Sequence, residues 1–124
     1  HIQDYCDVVK LLINADSKKI SNQIFNVGYQ NMSINEIAKV VKKTVQEEFP
    51  EYGEIPIIKT QSNDNRSYHI NSDKIKETLG YQAKRSVEDA VRELSKKFKE
   101  KLFNNTLEND FYYNIKRMKN LKAS

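Results

Sequence analysis

Helical patterns that begin at capping residues alternate along this chain with short runs of β-branched and aromatic residues. Three such runs favour strands: residues 24–28, 54–59 and 68–70. Helices and strands alternate in this way in α/β folds, where helices cover a sheet. The sequence therefore predicts an α/β fold with few short strands and about five helices.

The helical patterns carry clear start signals. Ser33 with Glu36, and Ser86 with Asp89, place a hydroxyl and a carboxylate three residues apart, which is the spacing of a capping box. Apolar residues then recur every three or four positions, as they do on one face of a helix. The predicted helical stripes are Tyr5–Leu12, Ile34–Val45, Val87–Leu102 and Phe111–Met118.

A shorter helix is predicted around Ile75 and Leu79, with Ser72 as its N-cap and Gly80 as its C-cap. The polar turn that precedes it holds Arg66. Loops between rigid elements often supply binding groups, and an arginine fork suits phosphate or carboxylate. A surface ion pair with a nearby aspartate is the structural alternative for Arg66.

Length and composition fit one folded domain. The chain has 124 residues, of which 38% are hydrophobic and 31% charged, with three Gly, two Pro and no Trp. Those values argue against a disordered or collagen-like chain. The patterned start at His1 also suggests a piece of something longer, since termini are usually frayed.

The positive charge is concentrated near the C-terminus. Residues 96–124 contain eight Lys or Arg and three acids, giving +5, so residues 1–95 total −1 against a whole-chain charge of +4. A basic segment can bind nucleic acid or a membrane surface, although most such segments are solvated helix faces. We do not expect nucleic acid as the principal partner.

No apolar run approaches the ~20 residues that span a bilayer, and no signal peptide opens the chain. We therefore expect a cytoplasmic protein with no membrane partner.

The single cysteine, Cys6, lies on a helical pattern without nearby metal ligands, and we expect it to be a buried structural thiol.

Several kinds of chemistry are missing from the sequence. Gly28, Gly53 and Gly80 are too far apart to form a phosphate-binding glycine loop. Two histidines are too few for a supported metal site, and we expect His69 to be a packed or solvated residue. Tyr112 and Lys116 have the Y-x-x-x-K spacing of an acid/base pair, which we interpret as coincidence in a segment rich in Tyr and Lys.

Four fragments together resemble the C-terminal part of extended short-chain dehydrogenases/reductases, the NAD-dependent sugar-nucleotide epimerases and dehydratases. They are His1-Ile2-Gln3-Asp4; Ile24–Gly28 followed by Ser33-Ile34; Asp64-Asn65-Arg66-Ser67-Tyr68 with Lys74-Ile75 and Leu79-Gly80-Tyr81; and Ser86–Ala90. The resemblance covers residues 1 to about 103. It implies the C-terminal portion of a Rossmann-type fold, with residues 1–103 binding substrate and residues 104–124 forming a basic helical extension.

In that family the arginine of the D-x-R segment typically contacts the diphosphate of a nucleotide sugar. The resemblance therefore implies that Arg66 binds substrate, with Asn63, Asn65 and Tyr68 as weaker companions. The family's cofactor loop and catalytic Tyr-x-x-x-Lys lie upstream of the matching region. The resemblance thus implies that a parent enzyme binds NAD through an N-terminal lobe. It also implies that this chain alone is inactive and holds no catalytic, cofactor-binding or metal-binding residue.

Two other functions stay open. The chain could be a stand-alone interaction module whose basic C-terminal helix binds an acidic partner, either RNA or protein. It could also be a catalytically dead relative kept for assembly. In the enzyme interpretation the isolated piece exposes apolar surface, so we expect self-association, including a possible homodimer.

Overall fold

The computed structural model describes residues 1–61 and 66–121, and in those residues all regular structure is helical. There are six α-helices in these two ranges: α1 Ile2–Asn14, α2 Ser17–Ile20, α3 Ile34–Glu48, α4 Asp73–Leu79, α5 Val87–Lys99 and α6 Asn114–Asn120. Short 3₁₀ turns occupy Pro50–Tyr52 and Asp110–Tyr112. The chain divides into two compact units, His1–Arg92 and Glu93–Ser124; the predicted division after residue 103 stays a prediction.

The predicted α/β, Rossmann-type fold is wrong for this chain: the described residues contain no strand and no sheet. The three predicted strands have no regular structure and no ladder partners. β-branched residues favour a pleated surface only when a neighbouring strand supplies the hydrogen bonds. In 54–59, Ile55 and Ile57 instead line an apolar groove of about 410 Å³ beside α3.

The predicted helix starts are confirmed where they depend on neighbours in sequence. At α3 the Glu36 N–H donates to Ser33 Oγ over 3.2 Å, and the Ser33 N–H donates to the Glu36 carboxylate over 2.7 Å. The same reciprocal pair joins Ser86 and Asp89 before α5, over 3.1 and 2.8 Å. Bonds to serine lower the pKa of the Glu36 and Asp89 carboxyl groups.

Helix α4 ends as predicted but begins differently. Gly80 has φ +67, the left-handed conformation that suits a glycine C-cap. Ser72 makes no capping hydrogen bond to α4. The Asp73 N–H instead donates to Asn71 Oδ1 over 2.8 Å, so the Ser72 hydroxyl is available for a contact elsewhere.

The unit His1–Arg92 has a small apolar core and an ionic cluster around Arg92. Val8, Ile75 and Ala83 are its buried apolar residues. Arg92 connects α5 to the end of α3 through Glu47 and Glu48 and also pairs with Glu88 in its own helix. These carboxylates raise the pKa of the Arg92 guanidinium, so it stays charged throughout the accessible pH range.

Candidate functional site

A cavity of about 340 Å³ in the unit His1–Arg92 is lined by both polar and apolar side chains. Three segments form it: the loop after Gly28, the segment that leads into α4, and the connection between α4 and α5. The lining residues are Val27, Gly28, Tyr29, Gln30, Asn31, His69, Ile70, Asn71, Ser72, Asp73, Ile75, Lys76, Tyr81, Gln82 and Ala83. We call it the polar cavity.

Side chains, rather than a sheet, join the first two segments of the polar cavity. The Gly28 N–H donates to Ser72 Oγ over 2.9 Å, and the Ser72 hydroxyl donates to the Gly28 carbonyl over 3.3 Å. The Asn31 amide accepts from the Ile70 N–H over 2.8 Å and donates to the Ile70 carbonyl over 2.9 Å. The two segments are thereby held side by side without a backbone ladder.

Asp4 on α1 fixes the third segment. Only 3% of Asp4 is exposed, and its carboxylate accepts from the Lys84 N–H (3.3 Å), the Arg85 N–H (3.0 Å) and Arg85 Nη1 (2.6 Å). The Tyr81 hydroxyl donates to the Asp4 carbonyl over 2.9 Å. Because Tyr81 lines the polar cavity, Asp4 links α1 to the cavity wall. We call this set of contacts the Asp4 clasp.

The Asp4 clasp also shapes local electrostatics. Asp7 accepts from Arg85 Nη1 over 2.9 Å, and the guanidinium lowers the pKa of the Asp7 carboxyl. The same hydrogen bond raises the pKa of Arg85. Burial, followed by the nearby Asp4 and Asp7 charges, raises the pKa of the Tyr81 phenol. Tyr81 thus stays a neutral donor at physiological pH.

The structure places two of the four predicted substrate residues. Arg66 and Tyr68 are exposed, and the Arg66 guanidinium carbon lies 5.9 Å from the centre of the Tyr68 ring. Neither lines the polar cavity, whose second segment begins at His69. Asn63 and Asn65 lie outside the described residues.

The sequence interpretation missed most of the cavity wall. The sequence pattern predicts Ser72 only as a helix cap and gives no site role to Gln30, Asn31, Lys76 or Tyr81. The available signal was the clustering of amide side chains directly after Gly28, since polar loops beside rigid elements often bind ligands. The pairing of Asn31 with Ile70 joins residues 39 positions apart, and no local pattern indicates it.

The structure overturns the prediction for Cys6. Cys6 is exposed, so the prediction of a buried thiol is wrong: it lies on the outer side of α1, whereas Val8 faces inward. Lys116 forms an ion pair with Asp110, and Tyr112 packs edge-on against Phe103. The described residues hold no group of three possible metal ligands, and none of their helices is long and apolar enough to cross a bilayer.

Comparisons with known proteins give no relative: no protein-family model, no curated protein and no solved structure matches this chain.

Proposed function

We propose that this chain binds the diphosphate group of a nucleotide sugar, as the substrate-binding part of an NAD-dependent nucleotide-sugar epimerase or dehydratase. The observation that carries the proposal is the position of the polar cavity. Its second segment starts three residues after Arg66, the arginine for which the family resemblance implies a diphosphate contact. Three residues of extended chain reach at most ~11 Å.

The composition of the polar cavity supports a phosphorylated, hydroxyl-rich ligand. Lys76 and His69 lie in its wall and can supply hydrogen-bond donors, and Lys76 a positive charge, to a phosphate. Amide groups of Gln30 and Gln82 can bind sugar hydroxyls as donors and acceptors. The volume is near the lower end of the ~300–1,000 Å³ usual for small-molecule sites.

The residues of this chain do not fit NAD itself. A dinucleotide site needs glycines close together at a helix N-terminus so that the backbone can approach the pyrophosphate. Here Gly28, Gly53 and Gly80 stand in three separate places. The proposal therefore assigns only substrate binding to this chain. Oxidation of a sugar hydroxyl, and the epimerisation, elimination or re-reduction that follows it, would be carried out by another part of the parent enzyme.

Isothermal titration of the chain with nucleoside-diphosphate sugars, and with the free nucleoside diphosphates, tests the proposal. Arg66→Ala should weaken binding at least about tenfold, because a bidentate charged contact contributes roughly 1.5–3 kcal/mol. Arg66→Lys should recover part of the affinity. Arg117→Ala, an arginine in the other unit, is the matched control and should leave binding unchanged.

The same titration separates the competing function. An interaction module that uses the basic C-terminal helix would bind a generic RNA with a steep salt dependence and would be insensitive to Arg66→Ala. Absence of nucleotide-sugar binding, or equal losses in the Arg66 and Arg117 variants, would contradict the proposed site.

A further inference from the structure

Residues 107–121 place five large apolar side chains on the surface. Leu107, Phe111, Ile115, Met118 and Leu121 expose between 57% and 86% of their area. Ile115 and Met118 lie in α6 and Leu121 directly follows it, and at 100° per residue these three fall within an arc of about 120°. Leu107 and Phe111 precede α6, in a turn and in the 3₁₀ segment. We call these five side chains the apolar surface; exposed apolar side chains grouped in this way often mark an interaction site.

Positive charges border this apolar surface. Residues 111–121 contain Lys116, Arg117 and Lys119 and no acid. Arg117 and Lys119 lie on opposite sides of Met118 by helix geometry, and the Arg117 guanidinium carbon stands 4.4 Å from the centre of the Phe111 ring. Lys116 is the member that is paired, with Asp110. Cationic side chains therefore flank the apolar surface and can extend beyond it toward anionic groups.

A shallow hollow of about 390 Å³ lies beside the apolar surface, within the same unit. Tyr112, Tyr113, Lys116 and Lys119 contribute to its wall. The Lys119 ammonium and two phenols suit a phosphate ester, while Lys116 is neutralised by Asp110; tyrosine favours the level of lipid headgroups because its ring is apolar and its hydroxyl polar. The hollow therefore adds two phenolic groups beside a cation that already borders the apolar surface.

We propose that residues 107–121 form a docking surface for an anionic phospholipid bilayer. The apolar side chains enter the boundary between headgroups and acyl chains, while Arg117, Lys119 and the hollow contact lipid phosphates. Nucleic acid would match the charge but would leave five apolar side chains in water. The sequence expectation of no membrane partner rested on the lack of a spanning stretch, which surface binding does not need. This inference is independent of the proposed nucleotide-sugar site.

Co-sedimentation of the whole chain with vesicles tests the proposal. Vesicles of equal parts phosphatidylcholine and phosphatidylglycerol should bind the chain, vesicles of phosphatidylcholine alone should bind it weakly, and added salt should reduce binding. Met118→Ser and Ile115→Ser should each weaken binding about fivefold to tenfold through lost apolar burial. The double variant Arg117→Gln/Lys119→Gln should weaken it at least as much.

Ile58→Ser is the matched control, since Ile58 is 79% exposed, more than Ile115 or Met118, and lies in the other unit. It should leave vesicle binding unchanged, and circular dichroism should show the same helix content in all variants because the changed side chains are on the surface. No preference for anionic vesicles, or an equal loss with Ile58→Ser, would overturn the proposal. The proposal would also be overturned, in favour of nucleic acid, if the chain bound an oligonucleotide and this binding were lost in Arg117→Gln/Lys119→Gln but kept in Ile115→Ser and Met118→Ser.

Discussion

Replacing Asp4 by alanine should destabilise the unit His1–Arg92 more than any other single change to an ionic contact of α1. The substitution removes an acceptor that is 3% exposed and leaves the N–H groups of Lys84 and Arg85 without their partner. Hydrogen bonds to a charged group contribute about 1.5–3 kcal/mol each. Taking the low end for both N–H groups, and allowing for the desolvation that Asp4 no longer undergoes, the loss is about 2–3 kcal/mol.

For a chain of this length such a loss lowers Tm by roughly 10 °C. Thermal unfolding followed by circular dichroism at neutral pH measures the shift. Asp4→Asn keeps the volume and one acceptor oxygen but not the charge, and should lie between the wild type and Asp4→Ala. Asp7→Ala is the matched control, because Asp7 contacts the same Arg85 from a more exposed position. If the Asp4 and Asp7 variants melt alike, the buried acceptor is not what stabilises the clasp.

Three further predictions follow from local features. Ser33→Ala should cost about 1 kcal/mol through loss of the α3 cap, seen as a Tm a few degrees lower, whereas Ser72→Ala should leave α4 capping unaffected and disturb only the contact with Gly28. Stability should fall as the pH drops below about 4. The carboxyl groups of Asp7, Glu36 and Asp89 have lower pKa values in the folded state than in the unfolded chain. Their stabilising contribution is therefore complete above the ordinary carboxyl pKa and is lost as the pH falls through the lowered values. A pH-independent Tm down to pH 3 would contradict this. Size-exclusion chromatography at rising concentration should show self-association, since Ile24, Ile34 and Ile58 are about four-fifths exposed; a monodisperse monomer would refute it.

Features encoded within three or four residues were predictable from the sequence. The capping boxes at Ser33 and Ser86 and the left-handed turn at Gly80 depend on neighbours in the chain, and all three are present. The absence of strands was not predictable from the local pattern, because a strand forms only with a partner segment and 24–28 has no ladder partner in the described chain. Composition indicated extended backbone there but could not indicate what would pair with it.

The candidate site divides in the same way. Arg66 could be selected from the sequence because an arginine in a polar turn has a recognisable chemistry, but it does not line the polar cavity. The cavity wall could not, since it requires Asn31 to meet Ile70 and Asp4 to meet Arg85 across 39 and 81 positions. Ser72 shows the conflict directly: its local pattern predicts a cap, and its distant contact with Gly28 prevails.

The side-chain amide of Asn31 sets how the polar cavity can open. In a sheet, adjacent ladder bonds must separate together, so exposure of one amide requires a whole strand to part from its neighbour. Here one side chain supplies both bonds to Ile70, and a single rotamer change releases them while α3 and α4 stay folded. Such changes are fast in exposed residues, so the Ile70 amide should exchange with solvent at the low-energy end of local openings. The cavity can therefore widen for a ligand one residue at a time, without the concerted unzipping that a strand pair would demand.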